Sequence, residues 1–259
     1  MNIILLSLLA GVVGMGLGGV ITAIFGSRTE KMISIFLSLA GGVMLSIVFI
    51  ELIPEAIEYS NAGIAIIGLI LGAIMVMVLN HVMDKISTNS KANSKLHESY
   101  AEFFHSSEVI ENKKSLIRSG MIMLFAIALH NIPEGLAMGA AGYHDAALGV
   151  TLAIMIGLHN IPEGMAISTP LISGGLSKLK TIILVMLTGA TTLIGTVAGV
   201  LIGGVSEIAL ALSFSIAGGA MLYVVFGEIL PQSIVTNKDR VPAVFALVGI
   251  IIGLLITQI

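Results

Sequence analysis

Apolar runs of about 20 residues, the length that crosses a hydrocarbon core, recur along the chain between short polar breaks. Eight can be read, near residues 2–25, 32–57, 62–83, 119–142, 146–171, 181–204, 208–234 and 241–259. One break is long: residues 84–118 are the most charged and polar stretch of the chain, with 11 of its 27 charged residues. Runs this apolar lie where no water can pair with backbone N–H and C=O groups, so they are predicted to be lipid-embedded helices. The pattern predicts an all-α polytopic membrane protein, with residues 1–259 forming a single transmembrane domain.

Composition strengthens this reading. Of 259 residues, 56% are apolar and 10% charged, against about 25% charged in ordinary soluble domains. Mean hydropathy is +1.07. Met1 leads into an apolar run with no basic stretch before it, which predicts a retained span rather than a cleaved signal. The absence of cysteine excludes disulfides and thiolate metal sites.

The position of charge says more than its total. Arg28 and Lys31 lie between spans one and two; Lys85, Lys91, Lys95, Lys113, Lys114 and Arg118 lie between three and four. Lys178 and Lys180 lie between five and six, and Lys238 and Arg240 between seven and eight, which accounts for all 12 basic residues. The alternate breaks carry acids such as Glu58, Asp145 and Glu207. The positive-inside rule then predicts cytoplasmic basic loops, with both termini outside.

An internal repeat underlies the spans. Residues 40–54 read AGGVMLSIVFIELIP and residues 217–231 read AGGAMLYVVFGEILP, an offset of 177. LHNIPEG occurs at 129–135 and again at 158–164. By the predicted topology each pair runs in opposite directions, which gives inverted repeats in a 3+2+3 arrangement. Transporters recurrently place their site at the interface of such repeats.

The repeated motif carries the chemistry. His130 and Glu134 are spaced i and i+4 on one helical face, with Asn131 about 100° round, and His159, Asn160 and Glu163 repeat the set. Both sets fall near mid-span, where an ionised carboxylate costs at least ~2.5–3.5 kcal/mol. One such motif is compatible with a proline kink whose polar groups satisfy each other. Two, in antiparallel neighbours at matching depth, argue for a cation between them. Imidazole, carboxylate and amide oxygen suit Zn²⁺, Fe²⁺ or Mn²⁺. Pro133 and Pro162 also leave the carbonyls of Leu129 and Leu158 without their helical donors.

In these features the chain resembles the ZIP family of metal transporters (Zrt- and Irt-like proteins), in its prokaryotic form. The resemblance covers all eight spans, the polar third cytoplasmic loop and HNIPEG in spans four and five. It implies a binuclear centre in which Glu134 and Glu163 bridge two ions. One ion would take His130 or His159, and the other Asn131 and Asn160. It further implies a span-two ligand just before Leu-Xaa-Pro, here Glu51 in IELIP, uptake toward the cytoplasm by alternating access, and frequently a dimer. Relatives in this branch often carry a span-six glutamate on the second metal. Here GATTLIGT puts Thr192 or its neighbour in that place, so the resemblance predicts the first site more firmly than the second.

The expected function is therefore transport of divalent metal, zinc first, with iron, manganese, cobalt and cadmium as other candidates. The expected setting is the inner membrane of a prokaryote, with lipid and metal ions as partners and neither nucleic acid nor an organic cofactor. Glu51 and Glu228, equivalent in the repeat, are expected at the outer and inner mouths of one path; Glu55 lies nearer the outer surface. His97 and His105 in the long loop are too few for a metal-binding tract, and His81 and His144 fall at span ends. Rows such as Gly14 with Gly18, and Gly195, Gly199 and Gly203, read as helix packing. The 14 methionines read as filling or lipid-facing residues. An intramembrane metalloprotease would want His-Glu-x-x-His, which is absent; a passive channel is the nearer alternative.

Overall fold

The structure is a computed structural model describing residues 2–26, 29–88, 113–144, 146–202 and 206–258. Arg28, Asp145, Gly203 and residues 89–112 of the long polar break, His97 and His105 included, lie outside the described residues, as does the side chain of His144. Every regular element among the described residues is helical.

The polar breaks act as helix caps. Helix α1 (Ile3–Ile21) starts at Asn2, whose Oδ1 accepts from the N–H of Ile4 at 3.1 Å. Helix α2 (Glu30–Ile47) starts at Thr29, whose hydroxyl accepts from the N–H of Met32. A π turn, Val48–Leu52, joins α2 to α3 (Ile53–Glu58), and Asn61 caps α4 (Ala62–Thr88). Helices α5 (Lys113–His144) and α6 (Ala146–Ser173) continue through Pro133 and Pro162. Helix α6 ends at Gly175, whose φ of 101° lets the N–H of Leu176 return to the carbonyl of Leu171.

The sixth expected span is broken at Ala190 into α7 (Lys178–Gly189) and α8 (Thr191–Ile202). Helix α9 (Glu207–Val224) is capped by Ser206 and passes through another π turn, Val225–Ile229, into α10 (Leu230–Thr236). Helix α11 (Val241–Ile256) closes the order. Val48–Leu52 and Val225–Ile229 each lie just before a proline, Pro54 or Pro231, unlike the π turn Thr22–Gly26 that follows α1. A proline nitrogen cannot bond back to the carbonyl four residues earlier, and the widened turn accommodates that missing bond.

Seven helical segments among the described residues are long and apolar enough to cross a membrane. The eighth apolar helix, α11, has 16 residues. Helix α4 bares Ile66, Ile67, Ile70, Leu71, Ile74, Met77 and Val78 along its length, an apolar surface larger than soluble proteins expose. Met15, Met44, Met123, Met138 and Met221 are fully buried.

Packing falls into two groups. Helix α1 lies along α6 and α5 along α8, with α5 and α6 against each other. In the second group α2 lies along α11 and α9 along α4. The groups meet where α2 packs on α6 and α9 on α5. Glycines set the close approaches: a Cβ on Gly42 would fall 2.1 Å from the carbonyl oxygen of Ala246, and one on Gly219 2.0 Å from that of Leu69. These two contacts are separated by the same offset of 177 that relates the repeated segments. Gly14, Gly18, Gly195 and Gly199 likewise face neighbouring backbone, as helix-packing positions should.

Candidate metal centre

Helices α5 and α6 bring the two HNIPEG motifs together in the interior. His130, Asn131, His159, Asn160 and Glu163 are at most 2% exposed, and Glu134 is equally enclosed. A Cβ on Gly135 would fall 2.0 Å from the carbonyl oxygen of Thr192, and one on Gly164 2.3 Å from that of Met15. The glycine after each glutamate therefore lets α8 and α1 close in from either side.

The side chains pair across the helices. His130 Nε2 lies 3.1 Å from Glu163 Oε1, and His159 Nε2 lies 3.3 Å from Glu134 Oε2. Each histidine thus meets the glutamate of the other motif. Ligand atoms of His130, Glu134 and Glu163 all fall within 4.8 Å of one another. One ion with metal–ligand distances near 2 Å holds its ligands no more than about 4 Å apart, so small side-chain shifts would bring all three onto a single ion.

Unpaired polar atoms point to something more than mutual satisfaction. Glu134 Oε1, Glu163 Oε2, and Nδ1 of both histidines are buried without hydrogen-bond partners. The asparagines are oriented by backbone carbonyls: Asn131 Nδ2 donates to Thr188 O at 3.3 Å, and Asn160 Nδ2 to Ala10 O at 3.2 Å. With both amide nitrogens so engaged, Asn131 Oδ1 and Asn160 Oδ1 remain as buried acceptors without donors, and Thr192 Oγ1 is likewise buried and unpartnered. Buried polar atoms normally have partners, so this concentration of free oxygens around two carboxylates has the composition of a cation site.

Sequence reasoning missed the elements that hold this arrangement. The break at Ala190 is braced by Thr191 Oγ1, which donates to Ala128 O at 2.8 Å and Thr188 O at 2.7 Å. The adjacent threonines in GATT were the available signal, since hydroxyls near a helix break find local carbonyls.

Glu51 and Glu228 are placed differently. Glu51 lines a small cavity with Glu134, His159, Leu152, Ile156 and Phe214, and its Oε2 is buried without a partner. Glu228 accepts from Ser119 Oγ at 3.0 Å and from Asn80 Nδ2 at 3.4 Å. Neither Ser119 nor Asn80 stood out in the sequence, because a single small polar residue in an apolar span is ordinary. Glu55 is half-buried on α3, and His81 is exposed.

A bundle of membrane-length helices around a buried imidazole–carboxylate centre defines a multi-pass membrane protein built to handle a cation. The full chain, residues 1–259, matches the model of the ZIP zinc transporter family. It is 32% identical to the zinc transporter ZupT of Akkermansia muciniphila, over 99% of this chain and 95% of that protein. Identity to the zinc transporter ZupT of Chlorobaculum parvum is 31%, over 98% and 94%. For the protein of the same name from Campylobacter jejuni it is 30%, over 92% and 88%. The chain belongs to the ZIP family. Its function is metal-ion transport across a membrane, not catalysis.

Proposed function

We propose that the chain carries zinc toward the cytoplasm across a prokaryotic inner membrane, through an ion site made by His130, Glu134 and Glu163. The observation that carries this reading is the cluster of those three residues, buried and within 4.8 Å of one another. Two mid-span carboxylates that each face the other motif's histidine are costly to bury, and an ion between them offsets that cost. The relatives described above are named as zinc transporters, which favours zinc over the other divalent ions that such ligands accept. Asn131, Asn160 and Thr192 offer only neutral oxygens on the far side of the carboxylates, so a second ion there binds more weakly. His159 holds Glu134, and Glu51 receives the ion from the cavity.

The proposed architecture is a single domain of eight spans, the last being α11, with both termini outside. Spans one to three and six to eight form inverted repeats around the α5–α6 pair. Three features support it: the segregation of all 12 basic residues, the two π turns at an offset of 177, and helix contacts that come in equivalent pairs. A homodimer is part of the reading by resemblance alone.

The test is metal uptake into proteoliposomes holding the purified protein, with zinc, iron(II), manganese and cadmium in competition. Saturable zinc entry, lost in Glu134→Ala while that variant still inserts, is the expected result. Tight zinc binding with no flux would overturn transport, and unitary currents would replace the carrier by a channel.

A further inference from the structure

The repeat makes Glu51 and Glu228 equivalent, yet their surroundings differ. Glu51 opens into the cavity beside Glu134 and His159, with Leu152, Ile156 and Phe214 as its apolar walls. Carried through the repeat (177 between the outer segments, 29 between the two HNIPEG motifs), this lining becomes Glu228, Glu163, His130, Met123, Ile127 and Leu37. Those counterparts are closed: His130, Glu163, Met123, Ile127 and Leu37 are all 0% exposed. A small cavity therefore reaches the centre on the side of the α5–α6 turn, and the corresponding positions on the other side are filled.

On the filled side, Glu228 is held by Ser119 and Asn80, and all three are at least nine-tenths buried. Their counterparts on the cavity side are Leu148 and Thr257. Leucine has no donor, and the Thr257 hydroxyl is spent on Leu254 O. Among the described residues, these two repeat positions supply carboxylate-holding donors on one side only. Ser119 also lies on the same face of α5 as His130, eleven residues before it, or three turns and about 16 Å along the axis. For Glu228 to stand beside His130 as Glu51 stands beside His159, Ser119 must first let it go.

We propose that Ser119 and Asn80 are positioning residues that latch Glu228 and keep the far half of the path closed, and that ion release requires Glu228 to exchange these donors for the ion. This rests on the transport reading above. A latch on one side alone biases the resting protein toward the state open to the α5–α6 turn, so that it waits for its cargo on that side.

The chain has no cysteine, so the Ile127→Cys and Ile156→Cys variants each carry one thiol, at equivalent walls of the shut and open halves. Their labelling rates with a charged maleimide, in chelator, report which half is open. In the otherwise unaltered protein Ile156→Cys is expected to react faster. Adding Ser119→Ala with Asn80→Ala should raise the Ile127→Cys rate at least about tenfold, since even one of the two lost charge-assisted hydrogen bonds is on that scale, and lower that of Ile156→Cys. Ser119→Thr, which keeps the hydroxyl, should leave both near their starting values. An unmoved ratio, or both rates rising together as loosened packing would cause, overturns the latch. If the double variant fails to fold, Ser119→Ala alone is read by the same ratio. Zinc flux in the wild type with an unmoved ratio overturns the latch alone. No flux in the wild type overturns the transport reading beneath it.

Discussion

Each histidine of the centre meets the glutamate of the neighbouring helix, although a glutamate stands one turn away on its own. Side chains at i and i+4 project side by side, so both face the gap between α5 and α6 and find partners across it. The two histidines are not equivalent in the result. His130 joins Glu134 and Glu163 in one cluster, whereas His159 meets Glu134 from the cavity side. If His130 is a ligand and His159 positions one, His130→Ala should weaken zinc binding by more than His159→Ala. A residue that only orients a ligand is worth about 10–100-fold in affinity, which is the loss expected for His159→Ala. Titration calorimetry on the detergent-purified variants measures both, and equal losses would make the two histidines alternative ligands.

At the scale of elements, the two π turns that precede prolines and the glycine contacts carry the repeat into the packing. Val48–Leu52 and Val225–Ile229 set Glu51 and Glu228 on widened turns just ahead of prolines, while Gly42 and Gly219 let α11 and α4 lie against α2 and α9. A methyl group at either glycine would sit about 2 Å from a carbonyl oxygen, and the helices must part to admit it. Gly42→Ala and Gly219→Ala should each cost ~1–3 kcal/mol, the range for overpacking, and should cost similar amounts because their contacts correspond. Gly227 meets nothing nearer than the Tyr223 ring at 3.6 Å. Gly227→Ala should therefore be neutral, or gain up to about 1 kcal/mol from helix propensity. Thermal unfolding in one detergent compares all three. A mild Gly42→Ala beside a severe Gly219→Ala would argue against equivalent packing.

At the scale of the whole molecule, two helix groups meet along α2 with α6 and α9 with α5, and the centre lies within the group formed by α1, α5, α6, α7 and α8. Cargo reaching that centre crosses from one face of the bundle to the other, so sidedness is part of function. Glu58 and Lys180 are both exposed, and the proposed topology puts them on opposite faces. In intact cells a membrane-impermeant maleimide should label Glu58→Cys directly and Lys180→Cys only after permeabilisation. The opposite pattern would invert the proposed orientation, and with it the direction of uptake.

The sequence was informative wherever the governing physics is local. Span length, the segregation of Lys and Arg, and the i, i+4 placement of His130 with Glu134 need only a helix and a bilayer to be read. The membrane class, the ZIP resemblance and the polar residues of the two motifs were legible on that basis. Hydropathy did not show the break at Ala190, since both halves of that span are apolar. It could not tell which glutamate each histidine meets, why the asparagine oxygens are left free, or that Glu51 faces a cavity while Glu228 is held by Ser119 and Asn80. Those outcomes depend on how helices far apart in sequence are rotated and shifted against one another. Two glutamates with the same place in a repeat look alike along the chain, and they part only when packing gives one of them donors that its counterpart lacks.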